Sequence, residues 1–508
     1  MSKRLTRRRG ASKLITLLPG RVSRRRLEKH TFLSRDRPLA LIMTLNFRWF
    51  ASRLSIWFAM AVLLVVATRG GSAQSLPPPT REQLLNGLRL VLWNTPAENT
   101  VYLKLRIHSG AAFDLAGKAG MMALLSDALF PDPTTREYFT EELGGKVEVT
   151  NDFDTINITL TGRASEFERI VELLRTAVVN IQLTPELVPK LRESRIKIVK
   201  DLGISPASQA DRAIAWRVFG NYPYGRPVVG SPETLARIER PDLMQARDRF
   251  LNPNNATLVI IGGVEERRAM RALKQLLGGW RKSDVVVPPT FRQPEPPDTR
   301  TQIIDQPAAE STEVRLAVRG LARSDKDAPT AQVLALVARE MWLAARPELS
   351  KSAFFVRHEA HTLPGLFIMG ASVSEADAPV ALAGARKVLQ SLSKDGGSQA
   401  LLDRAKNEAV AELNKQTERP QSLADLWLDG ETFQLGSVDD RLKQLKGITI
   451  ADLKRVAERL FSESQIATVA LGKAERLKPA LERAGKVEVL TTTAGASSDP
   501  TAGPIKKQ

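Results

Sequence analysis

The 508-residue chain has four histidines and no cysteine, which excludes disulfides and thiolate metal sites at the outset. The histidines are His30, His108, His358 and His361. Only the last two are close enough in sequence to suggest a ligand pair. In His358-Glu359-Ala360-His361 they stand three apart on what reads as a strand, where such residues point to opposite faces. The order also differs from H-E-x-x-H, which needs two histidines on one helical face. Polar strand residues are therefore the expectation. No G-x-S-x-G elbow and no G-x-x-x-x-G-K-[ST] loop occurs, so the usual markers of serine hydrolases and nucleotide hydrolases are missing.

The elements that would position any site begin after residue 73. The net charge of +18 suggests nucleic acid until its distribution is read. Residues 1–42 carry 13 Lys/Arg against Glu28 and Asp36, and residues 43–73 add Arg48, Arg53 and Arg69 with no acid. Thus +14 precedes residue 74, and about +4 remains for 74–508. No nucleic-acid partner is expected. From Met43 the chain runs through basic residues, an apolar stretch Ile56–Ala67 and Gly71-Ser72-Ala73, the pattern of a secretory signal peptide cut after Ala73. That stretch is shorter than the roughly 20 residues of a spanning helix, so no stable membrane span is expected after cleavage, an uncleaved N-terminal anchor being the alternative. A periplasmic or otherwise exported protein follows, with Met43 as the true start. The Arg-rich, acid-poor residues 1–42 also have the composition of a mitochondrial transit peptide, which keeps a mitochondrial location as the alternative.

The chain with 43% hydrophobic and 26% charged residues has an ordinary globular balance and room for two domains. Leu76-Pro77-Pro78-Pro79 is an extended lead-in. Five prolines between Val285 and Thr299 mark an interdomain linker, and the small, polar segment from about Thr491 reads as disordered. The flanks of the linker repeat one another. VYLKLRIHSG before an apolar helix matches EVRLAVRGLA, INITLTG from Ile156 matches LFIMGASVS from Leu366, and ATLVIIGG from Ala256 matches ATVALGKA from Ala467. A duplicated α+β domain is the expectation: two homologous α/β-sandwich halves, each a mainly antiparallel or mixed sheet covered by helices. The boundaries are 1–73 leader, 74–280 first half, 281–301 linker, 302–487 second half and 488–508 tail.

NGLRLVL from Asn86, His108-Ser109-Gly110, the helix opening at Gly120, ELGGKVEVTNDFDTINITL from Glu142 and NYPYGRPVVGSPETLARIERPDLMQARDRFLNPNNATLVIIGGV from Asn221 resemble the pitrilysin/insulinase metallopeptidases, especially their mitochondrial-processing-peptidase-like branch. The resemblance spans about Leu76 to Lys486. It implies a zinc site in active members, built from H-x-x-E-H on the helix after the first long strand and a distal Glu. Two histidines at i and i+4 reach one zinc ion, and the Glu reaches its water as general base.

Anchoring that pattern on Gly120 and on Leu129-Phe130 puts Ala123 and Asp127 at the histidine positions and Ser126 at the Glu, with the distal ligand near Lys200-Asp201. Ala123 has no lone pair and Ser126 is too weak a base, so no catalytic residue, metal or cofactor is expected, although active relatives hold zinc. The resemblance also implies an Arg and a Tyr that hold substrate. Phe354, in Ala353-Phe354-Phe355-Val356, stands at the Tyr position, and Arg339 is the nearest candidate for the Arg. The chain is thus expected to be a non-catalytic subunit that pairs as a heterodimer with a zinc-bearing homologue and handles peptide substrates. The alternatives are a peptide-binding or scaffold protein without hydrolysis, perhaps a homodimer, or a metallopeptidase with atypical ligands.

Overall fold

The alternating apolar segments on either side of the linker become two six-stranded mixed sheets in a computed structural model, which describes residues 79–491 apart from 203–204, 285–289, 352 and 463. The leader, Met43, Leu76-Pro77-Pro78, the linker residues Val285–Pro289 and the tail from 492 lie outside the described residues.

The first sheet comprises β1 (Thr80–Gln83), β2 (Arg89–Asn94), β3 (Thr100–Ile107), β4 (Val147–Asn151), β5 (Ile156–Arg163) and β6 (Ala256–Gly262), in the order β1-β2-β6-β3-β5-β4. The second comprises β7 (Thr301–Asp305), β8 (Thr312–Arg319), β9 (Phe354–Glu359), β10 (Leu366–Val373), β11 (Ala467–Gly472) and β12 (Val487–Thr491), in the order β12-β7-β11-β8-β10-β9. The repeat read in the sequence is therefore a repeat of sheet positions: β3 and β8, β5 and β10, β6 and β11 occupy corresponding places. Most pairings are antiparallel, while β2–β6, β7–β11 and β7–β12 are parallel. β12 corrects the expected tail boundary at 488. Parallel pairing with β7 satisfies its backbone, and Glu488 is held by Arg217 and by Arg300 at 2.6 Å.

Around the first sheet lie α1 (Met121–Asp127), α2 (Pro133–Glu141), α3 (Phe167–Val178), α4 (Leu187–Leu202), α5 (Pro206–Phe219), α6 (Pro232–Leu235), α7 (Arg240–Phe250) and α8 (Glu266–Leu277). The second half adds α9 (Ala328–Ala345), α10 (Ala378–Asp395), α11 (Gln399–Gln416), α12 (Pro420–Phe433), α13 (Val438–Gly447), α14 (Ile450–Phe461) and α15 (Ala474–Glu482). Helical spacing explains the cover of the inner face. On α3, Phe167, Ile170, Val171, Leu174 and Val178 recur every three or four residues and are buried. They meet Leu103, Leu105 and Ile107 from alternate positions of β3, with Met122 and Leu125 of α1 in the same core.

The outer faces are covered crosswise. Leu423, Ala424, Trp427 and Leu428 of α12, from the second half, bury against Val91, Tyr102, Val259 and Ile261 of the first sheet. Conversely, Ala210, Ala213, Ile214 and Val218 of α5, from the first half, bury against Ala317, Ile368, Val469 and Leu471 of the second sheet. Each fully buried large aliphatic side chain contributes roughly 1.5–3 kcal/mol, so neither sheet is complete without its neighbour's helix. The strands of each sheet come from one side of the linker, while these two helices cross to the other sheet.

An ion pair repeats in each exchange. Arg106 on β3 donates to Asp429 at 2.6 Å and Asp425 at 3.2 Å on α12. Arg315 on β8 donates to Asp211 of α5 at 2.5 Å and to Glu313 at 3.0 Å. Arg315 is only 2% exposed, so its partners are what make its burial tolerable.

Candidate functional site: the degenerate motif helix

Gly120 sets the start of α1. Its φ of 92° is left-handed, and a Cβ there would come within 2.8 Å of Gly230 Cα and Leu235 Cδ2. Asp114 caps the helix, accepting from Gly120 N–H at 2.7 Å and Met122 N–H at 2.8 Å. Burial pushes the Asp114 carboxyl up to about 7, against the pull of those N–H groups and of Arg226.

The three motif positions lie on this helix. Ala123 is buried and has no donor atom to offer. Ser126 is buried, and its hydroxyl donates back to the Met122 carbonyl at 2.8 Å, a bond that occupies it within its own turn. Asp127 is the one charged member, and it is already engaged. Arg195 of α4 donates to Asp127 Oδ2 through Nε at 2.5 Å and to Oδ1 through Nη2, with Nη2 also 3.4 Å from the Ala123 carbonyl. This two-pronged pairing of fork and carboxylate is the strong form of the interaction. Side-chain exposures of 32% for Asp127 and 17% for Arg195 place it partly out of water.

A guanidinium thus stands against the carboxylate at a position where active relatives have a zinc ligand. The residues present do not fit a zinc ion: one has no donor, one is spent on the backbone and one is neutralised by a fixed cation. The expected distal position near Lys200-Asp201 is corrected as well. Asp201 is exposed, and α4 presents Arg195, about one and a half turns earlier, to the motif helix. Among the described residues, no group of three or more His, Asp and Glu side chains is placed to hold a metal ion.

The other residues singled out in the sequence are not gathered here. Arg339 on α9 pairs with Glu408 at 2.8 Å and Glu340 at 3.3 Å. Phe354 on β9 is half-buried, its ring edge-on to Trp342 at 6.2 Å. The contacts of both stay within the second half. His108 is half-buried and hydrogen-bonded to Thr257 Oγ1 at 2.9 Å; desolvation, with Arg89 and Arg106 nearby, pushes it down to about 3. His358 accepts from Leu321 N–H at 2.9 Å and is pushed down to about 4, mainly by burial. β9 ends at Glu359, so His361 lies beyond the strand rather than on its opposite face.

His361 instead joins a seam between the halves that the sequence did not signal. Its Nδ1 is 3.5 Å from Asp154 Oδ2, which also accepts from Thr362 N–H at 3.0 Å. The Tyr224 hydroxyl donates to Asp154 Oδ1 at 2.9 Å and accepts from Leu363 N–H at 3.0 Å. Burial pushes the Asp154 carboxyl up, but the hydrogen bond and charge of His361 with the other donors outweigh it and hold the group below its ordinary range. Beside this seam lies a cavity of about 260 Å³ lined by Phe153, Tyr224, Arg226, Arg357 and Leu366, among others.

The two-half fold is that of M16-like peptidases. The family described as Peptidase M16 inactive domain matches residues 237–409. A zinc protease, PqqE, of Helicobacter pylori is 20% identical over 435 residues, covering 81% of this chain and 97% of that protein. A solved protease structure from Helicobacter pylori superposes with a TM-score of 0.70 at 19% identity, over 78% of this chain and 100% of that one. A chain of complex III2 from Candida albicans gives a TM-score of 0.69 at 15% identity, over 80% and 99%. The chain is thus similar to M16 peptidases over most of its length, and Ala123, Ser126 and Asp127 stand where that resemblance places the inverted zinc motif.

Proposed function

We propose that this chain is the non-catalytic subunit of an exported peptidase, paired with a zinc-bearing homologue that supplies the hydrolytic centre. The observation that carries the reading is the Asp127–Arg195 pair. It fills the motif position with a fixed positive charge, which opposes metal binding there while keeping α1 and α4 together. A partner supplying zinc makes that replacement tolerable. The likeness to a chain of complex III2, which is a multi-subunit assembly, supports a subunit role. Among the described residues no helix is long and apolar enough to cross a membrane, and export rests on the signal-peptide pattern ending at Ala73.

The test is co-expression with a homologue from the same genome that has an intact H-x-x-E-H, followed by size exclusion and a peptide-cleavage assay. Co-elution with cleavage that neither chain gives alone is the expected result. Separate elution, with the partner fully active alone and this chain still binding peptide, would replace the subunit reading with that of a peptide-binding scaffold. N-terminal sequencing of native protein should find a start near Gln74. A soluble cytoplasmic species retaining Met1 or Met43 would remove the export reading.

A further inference from the structure

A second, larger cavity of about 490 Å³ lies in the second half, between the N-terminal turn of α9, the strand β9 and helices α11 and α13. Arg441 of α13 lines it. This side chain is mostly withdrawn from water, and burial lowers its affinity for a proton. Yet it makes no side-chain hydrogen bond or salt bridge among the described residues. The carboxylate that attracts it, Asp429, is already engaged by Arg106 at 2.6 Å and by Arg323. Three guanidiniums therefore share one carboxylate, and Arg441 is the one without a bond to it. A charge held in this way is costly unless something completes it.

The rest of the wall agrees in sign and in hydrogen-bonding capacity. Asp325 is spent on Arg459 at 2.7 Å, which leaves Lys326 and Arg441 against the exposed Glu412. Gln332, Gln434 and Gln444 add carboxamides. Gln434 is held at φ 55°, the one non-glycine residue with positive φ among the described residues. That left-handed conformation is the C-cap that ends α12, and it sets Gln434 at the cavity wall.

We propose that this cavity binds an oxyanion-bearing ligand, a carboxylate or a phosphate, seated on the Arg441 guanidinium with the carboxamides of Gln332, Gln434 and Gln444 taking its remaining polar atoms. The planar fork of arginine suits both anions. The site is separate from the motif helix and does not depend on a partner subunit.

Calorimetric titration and thermal-shift measurement of the mature chain test it, with three probes: inorganic phosphate, a blocked Gly-Glu-Gly peptide and its Gly-Gln-Gly counterpart. Binding of phosphate or of the Glu peptide, at least tenfold tighter than the Gln peptide, is expected, and whichever anion binds identifies the source. Arg441→Met should weaken that binding at least tenfold while leaving the Tm of the free protein unchanged or raised, because no hydrogen bond is lost. Should Arg441→Met fail to fold, Gln444→Glu, which places a competing carboxylate in the cavity, should abolish binding in its place. Failure of both anions to bind, equal binding of the Glu and Gln peptides, or binding that survives these substitutions overturns the proposal. So does a folded Arg441→Met protein with a Tm several degrees lower, since that would make Arg441 a structural residue.

Discussion

Restoring the three motif residues alone should give only a weak zinc site, because Arg195 remains. The perturbation is Ala123→His, Ser126→Glu and Asp127→His, with and without Arg195→Met. In the native chain Arg195 bonds Asp127 and reaches to 3.4 Å from the Ala123 carbonyl, so its guanidinium spans the two positions where histidines would converge. At an effective dielectric of about 20, a unit charge about 5 Å from a divalent ion is repelled by roughly 7 kcal/mol. With Asp127 gone the long side chain can swing toward water and escape most of this. A residual cost of about 1.4–3 kcal/mol, or roughly tenfold to a hundredfold in affinity, is what remains. Competition against a chromophoric zinc indicator at neutral pH, with circular dichroism as the folding control, measures the difference. Equal zinc affinity within twofold, with and without Arg195, would refute the electrostatic reasoning. Stoichiometric zinc in the unmodified protein, with chelator-sensitive peptide cleavage, would refute the whole placement of the ligands.

Three further outcomes follow from the same structure. Arg315→Met removes the partner of Glu313 inside the protein and should cost about 3–5 kcal/mol in urea unfolding followed by tryptophan fluorescence; a loss below about 1 kcal/mol would show that the pair is compensated elsewhere. Limited proteolysis should cut before Phe291, whose ring packs on Tyr222 at 6.1 Å and Phe113 at 6.0 Å. The nicked halves should still co-elute because α5 and α12 are exchanged, and their separation in native buffer would contradict the crosswise packing. Asp114 has a folded-state pKa raised from 3.8 to about 7, so the native state holds its proton longer than the unfolded state. Stability attributable to this group is present at acid pH and is lost as pH rises from about 4 to about 7, at up to about 1.4 kcal/mol per pH unit. Comparing the pH profiles of the native chain and Asp114→Asn isolates that slope, and parallel profiles would show that the N–H bonds keep Asp114 ionised.

The sequence makes the duplication and the motif helix readable because both rest on local pattern. β3, β5 and β8 mix polar and apolar residues along the strand, β10 is a nearly continuous apolar run, and Gly120 with Leu129-Phe130 fixes the register of α1. The helix exchange is not readable, since the apolar stripe of Leu423, Trp427 and Leu428 says that α12 covers something but not which sheet. Arg195 is hidden for a similar reason. The helix LVPKLRESRIKIVKDL offers Lys190, Arg192, Arg195, Lys197 and Lys200, and only the angle at which α4 crosses α1 selects one. His361 falls outside its expected strand because β9 stops at Glu359. The boundary at 488 falls inside β12 because VEVLT is too short a pattern to separate a strand from a tail until β7 pairs with it.

The crosswise cover also fixes the order in which the molecule can be completed. Arg106 and Asp429 are 323 residues apart in sequence, and contacts of that separation form late and slowly. As the chain is synthesised, Val91, Tyr102, Val259 and Ile261 exist as a finished apolar face well before α12 has been made. A premature stop between about residues 281 and 420 therefore damages the half it leaves intact: the truncated product keeps its first sheet but exposes that face, and aggregation is the expected fate.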